Sequence, residues 1–260
     1  MNIRPLPVAY KRLGAALGAA VVLASIALAP LARAADGPQL DPAAAQAIEA
    51  MGKTLSAPQF SFRIKTIREY AGPNGQPLTI FHEGTILVRR PDRFRADIAG
   101  DDGQIKIGYN GKEFTLLGIE QRKYATLAVA SDLEGTLRTA EEQLGFDFPL
   151  ADFLMKEPDR AFLSGVVSGA KVNEVTIGRV KAEHLLFMQP PGIELQLWVQ
   201  SGERAVPRRL VVTYRSLPGE PRFIAEMNDW NFGVTPSDGD FTVQVPQGFQ
   251  KIKTAQEAKQ

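Results

Sequence analysis

The stretch Gly84 to Ile98, "GTILVRRPDRFRADI", decides how the chain is to be read. It begins as an apolar strand, stops at Arg89, Arg90 and Pro91, and resumes as a second strand at Arg93. Proline cannot donate to a sheet ladder, so Pro91 ends the pairing and marks a reversal. The arginines around it admit three readings: a solvated hairpin, an anion site, or a gate beside an apolar interior.

The residues on either side extend the same pattern. "FSFRIKTIREY" alternates, with Phe60, Phe62 and Ile64 on one face and Ser61, Arg63 and Lys65 on the other, as a half-buried strand does. Asn74-Gly75 and Asn110-Gly111 are dipeptides suited to hairpin turns. "IKIGY", "KEFTLLG" and "RKYATLA" continue the meander. The period then changes. Ser131 and Glu134 have capping-box spacing, and Leu133, Leu137, Ala140 and Leu144 share a helical face ending at Gly145. A short helix is predicted from Pro149 to Met155. After Pro158 strands return as "EVTIG", "VKAEHLLFM", "IELQLWVQ", "RRLVVTYRS", "RFIAEMNDWNF" and a last "FTVQV". Ahead of the sheet, Asp41 as N-cap and Pro42 at the first helical position open a helix that runs to about Ser56.

The first residues belong to a different kind of segment. Arg4, Lys11 and Arg12 precede an apolar run from Leu13 to Ala32, and Ala32-Arg33-Ala34 has the small residues of a cleavage site. Residues 1–34 read as a secretory signal peptide, cut before Ala35. No later run is long and apolar enough for a transmembrane segment, so the mature chain is expected to be soluble and periplasmic. Residues 35–250 read as one domain and 251–260 as a flexible polar tail. Four of the 30 basic residues lie in the leader, leaving 26 against 29 acidic residues, a net charge of −3 that speaks against a nucleic-acid partner. The absence of cysteine excludes disulfides and a cysteine-linked lipid anchor.

Chemistry-bearing motifs are few. Two histidines, His82 and His184, are too few for an ordinary zinc site without cysteine, and no metal or cofactor is expected. Neither a nucleophile elbow nor a phosphate-binding glycine loop occurs. Asp101-Asp102 sits among turn glycines, and Asp229 adjoins Trp230 at a strand end. No catalytic residue is assigned and an enzyme is not expected. A hydrolase working through unrecognised carboxylates is the least favoured alternative.

In their order, "GTILVRRPDRFRADI", "IGYNGKEFTLL", "PRRLVVTYR", "EMNDWNF" and "FTVQVPQGFQ" resemble segments of periplasmic lipoprotein carriers of the LolA type. Within that superfamily the chain looks most like a group of uncharacterised predicted periplasmic proteins. The resemblance implies a mainly β, α+β fold: an unclosed antiparallel barrel of about eleven strands, with short helices as a lid over an apolar cavity. It implies a lipid or lipoprotein acyl chain as ligand, held by a carrier or sensor. It also places a lid latch at the arginine before the proline, Arg90, leaving Arg89, Arg93 and Arg95 as rim charges. By alternation and helical phase, the cavity would be lined by Phe60, Phe62, Ile86, Val88, Leu195 and Leu197 of the sheet and Leu133, Leu137, Phe146 and Phe153 of the lid. Sequence period does not separate such a cavity from a filled core. The alternative function is an envelope scaffold or regulatory module that binds a protein partner through a sheet edge or an open face.

Overall fold

The computed structural model describes residues 39–72 and 74–254. The leader and its cleavage site lie outside the described residues. Strand β1 (Gln39–Leu40) leads into α1 (Pro42–Leu55), where the Asp41 carboxylate accepts from the Ala43 N–H at 2.8 Å. A first meander follows: β2 (Gln59–Ala71), β3 (Pro77–Arg89), β4 (Arg93–Gly100), β5 (Gly103–Tyr109), β6 (Glu113–Gly118) and β7 (Lys123–Ala128). The helical insertion consists of α2 (Leu133–Leu144), a 3-10 turn (Ala151–Leu154) and α3 (Pro158–Phe162). The second meander is β8 (Ser168–Ile177), β9 (Val180–Gln189), β10 (Ile193–Gln200), β11 (Pro207–Tyr214) and β12 (Arg222–Asn231). A 3-10 turn (Asp238–Phe241) and β13 (Gln250–Lys251) end the described chain.

All thirteen strands form one sheet, in the order β1-β8-β9-β10-β11-β12-β2-β3-β4-β5-β6-β7-β13. Eleven of them are longer than two residues; β1 and β13 are two-residue strands that pair in parallel with β8 and β7 at the two margins. The ladder does not close on itself among the described residues, so the architecture is the expected unclosed sheet with short helices on one face.

Inner-face pairings keep the alternation apart from irregularities at Trp198/Val199, Asn228/Asn231 and Lys171/Asn173. Phe60 lies opposite Val88 and Phe62 opposite Ile86; Val88 in turn faces Phe94, and Leu195 faces Phe187. These side chains and those of α1, α2 and the 3-10 turn make one core, whose largest fully buried members include Tyr109, Phe60, Phe62, Phe94 and Phe114. The helices approach closely where residues are small. A β-carbon built on Gly52 of α1 would lie 2.6 Å from the Asp159 Cβ of α3.

Four local expectations are corrected. Helix α2 is capped by Asp132, not Ser131: its carboxylate accepts from the Gly135 N–H at 2.9 Å, and spacing alone does not separate two neighbouring cap-capable residues. The helix expected at 149–155 is a single 3-10 turn, Ala151–Leu154. "FTVQV" is not a strand. Residues 236–243 cross the outer face instead, with Phe241 and Val243 buried against it, and a β-carbon on Gly108 of β5 would meet the Phe241 carbonyl oxygen at 2.6 Å. The first residues of the expected tail are held: Lys251 pairs with Tyr124, the Ile252 N–H reaches the Tyr124 carbonyl at 2.8 Å, and Thr254 is buried.

Candidate ligand-binding site

The helices meet the sheet at the corner between β3 and β4, where the opening stretch reverses. Arg90 follows the last residue of β3, so its backbone N–H is free of the ladder and donates to the Pro58 carbonyl at 2.7 Å. Its guanidinium donates to the Leu55 carbonyl at the end of α1, at 2.9 Å, and to the Leu154 carbonyl at the end of the 3-10 turn. The Phe60 ring lies beneath it, 5.8 Å from the guanidinium carbon. Pro91 extends the junction, its carbonyl accepting from the Leu133 N–H of α2 at 2.8 Å. One corner thus holds α1, α2 and the 3-10 turn. Terminal helix carbonyls lack intrahelical partners, and a cation is the donor that suits them. Burial lowers the Arg90 pKa to about 10, which leaves it charged at neutral pH.

Tyr109 supplies a second attachment from the sheet. Its buried hydroxyl reaches the Ser131 carbonyl at 2.5 Å, just ahead of α2. A third, at the other end of the same face, is absent from the sequence-based expectations. Arg68 continues the inner-face row Phe60, Phe62, Ile64 and Thr66, and donates to Asp147 at 2.8 Å in the segment between α2 and the 3-10 turn. Continuing the alternation past Ile64 places Arg68 on the apolar side, which is itself a signal.

The ten candidate cavity residues are brought together between sheet and helices. Phe60, Ile86, Val88 and Leu197 have 0% exposure, Phe62, Leu133, Leu137, Phe153 and Leu195 are buried, and Phe146 is half-buried. A side chain with no surface open to water is covered by other side chains on every side. The helices therefore sit directly on the apolar face, and the open gap that would have made a standing pocket is filled at these residues. Phe146 and Phe148 of the lid stack at 6.0 Å and meet Phe114 and Phe94 of the sheet at 5.9 and 5.7 Å. Two clefts lie elsewhere: one of about 540 Å³ between the ends of β2, β10 and β11 and the turn before β12, and one of about 270 Å³ on the outer face of β3 to β5. In the larger, Arg222 is paired with Glu69 at 2.8 Å and Arg215 with Glu194 at 2.9 Å.

The remaining arginines do not form a rim around the lid. Arg89 and Arg95 point to the outer face and hold the C-terminal segment there, through the Pro236 carbonyl at 3.0 Å and the Thr242 carbonyl at 3.2 Å. Arg89 also pairs with Asp238 and lies over the Phe241 ring, and Arg93 pairs with Asp92 at 2.7 Å. The carboxylates weighed for hydrolysis do not converge. Asp101 accepts from the Phe81 N–H, Asp102 pairs with His82, and Asp229 lies 3.9 Å from Arg63. Among the described residues no group of three or more metal-ligating side chains occurs, and no helix is long and apolar enough to cross a membrane.

Solved structures that align with this fold include an uncharacterised conserved protein from Thermus thermophilus, at 9% identity and a TM-score of 0.48 over 81% of this chain and 98% of that one. The lipoprotein LppX of Mycobacterium tuberculosis aligns at 14% identity and a TM-score of 0.48, over 75% of this chain and 98% of its own. A LolA superfamily protein from Nitrosomonas europaea aligns at 12% identity and a TM-score of 0.37, over 76% and 97%. No curated protein sequence matches the chain at a significant level. The profile of one sequence family covers residues 44–255, nearly all of the described sheet and lid, and the chain accordingly belongs to that family, the predicted periplasmic proteins of DUF2092.

Proposed function

We propose that the protein is exported, with its leader removed before Ala35, and that it binds the acyl chain of a lipid or lipoprotein between sheet and lid, as a carrier or sensor. The observation that carries this reading is Arg90. A single guanidinium joins the ends of two lid elements above a mainly apolar face. A lid fastened only by apolar contact would leave no control over its opening. One fastened at a charged hydrogen-bonded corner can be released there. Burying ~14 methylenes returns roughly 10 kcal/mol before ordering costs, against about 1.5–3 kcal/mol for each charge-assisted bond at the corner. A chain that takes the place of the lid residues now covering the sheet offsets their lost contacts with its own burial, and it leaves slowly once inside.

The test is organic extraction of protein isolated from native envelopes, followed by the release rate of a fluorescent fatty acid. Acyl species are expected in the extract. Arg90→Leu is expected to release the probe about tenfold faster, with a smaller change in unfolding midpoint than in release. Protein that carries no acyl species and takes up no probe overturns the reading; unchanged release from Arg90→Leu removes the latch.

A second reading is favoured by the outer face of β9, where Leu186 and Met188 are 42% and 49% exposed, beside Val172 of β8 at 49%. Apolar side chains left open to water on one face favour a contact with another protein. β1 and β13 cover only Ser168 and Gly169 of β8 and Lys123 and Tyr124 of β7, so such a partner has the rest of the β8 edge open to it as well as the face. A photocrosslinker at Met188 is expected to capture one protein in the envelope under this reading, and none under the first.

A further inference from the structure

We propose that Arg68 is the anion site for the head group of the acyl ligand, and that Asp147 of the lid occupies it as an internal competitor. The inference rests on the acyl-chain reading above. Arg68 is the charged end of an otherwise apolar or neutral row on β2: Phe60, Phe62, Ile64 and Thr66 precede it on the same face. A single-chain anionic amphiphile has this same order of parts, a hydrocarbon ending in a carboxylate or phosphate. The guanidinium lies over the Phe223 ring at 5.4 Å, with the side chains of Tyr70 and Tyr214 beside it. The surround is thus aromatic with hydroxyl groups close by, which suits the junction between an acyl chain and its head.

Asp147 meets this site unequally. The Arg68 side chain is 24% exposed and that of Asp147 58% exposed. The cation is seated in the sheet, while the anion reaches it from the water side. Asp147 touches one guanidinium nitrogen, Nη2, at 2.8 Å. A carboxylate or phosphate free to orient takes two, and that forked geometry is what distinguishes arginine from lysine as an anion receptor. A half-exposed ion pair is weak, so exchange of one anion for another is cheap. Phe146 and Phe148 flank Asp147 and pack against the sheet, tilted against Phe114 and edge-on to Phe94. Displacing Asp147 therefore loosens the lid segment that an acyl chain has to move. Head-group binding and lid release become one event.

The experiment is displacement of the neutral probe N-phenyl-1-naphthylamine at pH 7.5 by oleate, by oleyl alcohol and by inorganic phosphate. Oleate is expected to compete about tenfold more strongly than oleyl alcohol, and millimolar phosphate not at all. Arg68→Gln is expected to bring oleate down to the level of oleyl alcohol, and Asp147→Asn to strengthen oleate several-fold. Equal competition by oleate and oleyl alcohol overturns the head-group site and leaves the acyl-chain reading standing. Competition by neither overturns both. Displacement by phosphate alone shows a soluble-anion site instead and overturns the inference. Should Arg68→Gln fail to fold, Asp147→Asn decides: unchanged oleate affinity in that variant overturns the competitor role.

Discussion

Asp152 sits in the 3-10 turn whose last carbonyl Arg90 holds, and burial pushes its carboxyl from the ordinary 3.8 up to about 6. The folded protein therefore holds this proton more tightly than the unfolded chain. The associated stability is fully present below about pH 4 and is lost as pH rises toward 6. At neutral pH the charged group costs the fold about 3 kcal/mol, on the order of two pKa units at about 1.4 kcal/mol each. Asp152→Asn is expected to raise unfolding stability at pH 7.5 by up to that amount, about 3 kcal/mol, and to leave it unchanged near pH 4, as urea titrations at the two pH values would show. The same turn carries the 0%-exposed Leu154 and the buried Phe153, which stacks on Phe162 at 5.9 Å. A carboxylate among such neighbours is a weak point in the lid at neutral pH, close to the Arg90 fastening.

The least expected element is the C-terminal segment on the outer face. Its Phe241 has no exposed surface, although residues 241–245 look like one more strand in the sequence. Phe241→Ala is expected to cost about 3–5 kcal/mol in chemical denaturation, the value for a large buried aromatic, whereas loss of a side chain from a solvated end would cost almost nothing. The reason the pattern misleads here is physical. Alternation reports that a segment has a wet and a dry side, not whether its backbone pairs with a neighbour or lies across several strands. The hairpins and α1 were legible because their signals are local: Asn-Gly turns, Asp41 before Pro42, and a period of two along Phe60 to Ile64. The placement of Phe60, Phe62, Ile86 and Val88 on one face was legible for the same reason. Whether helices fill the space above that face depends on the volumes of side chains far apart in sequence, and no local period contains that information.

At the scale of the whole molecule, two meanders of near-neighbour strands, β2 to β7 and β8 to β12, are joined by the pairing of β12 with β2, where Met227 lies opposite Ile64 and Ala225 opposite Thr66. Contacts this distant in sequence are slow to form, because a long loop has to be closed first. Deleting everything after Leu217 is expected to abolish cooperative unfolding, since β12 and the outer-face segment go together; a calorimetric scan that still shows one sharp transition would contradict this. The seam also fixes where an incomplete chain is vulnerable. β2 and β3, at 13 residues each, are the longest strands, and until Arg222 to Asn231 has been made β2 has a bare hydrogen-bonding edge from Ser61 to Arg68, beside the apolar face of Phe62 and Ile64. A ribosome that stops early, or a protease that cuts before Arg222, releases a fragment with this strand edge open and adhesive, and fragments of that kind would clump with one another through it.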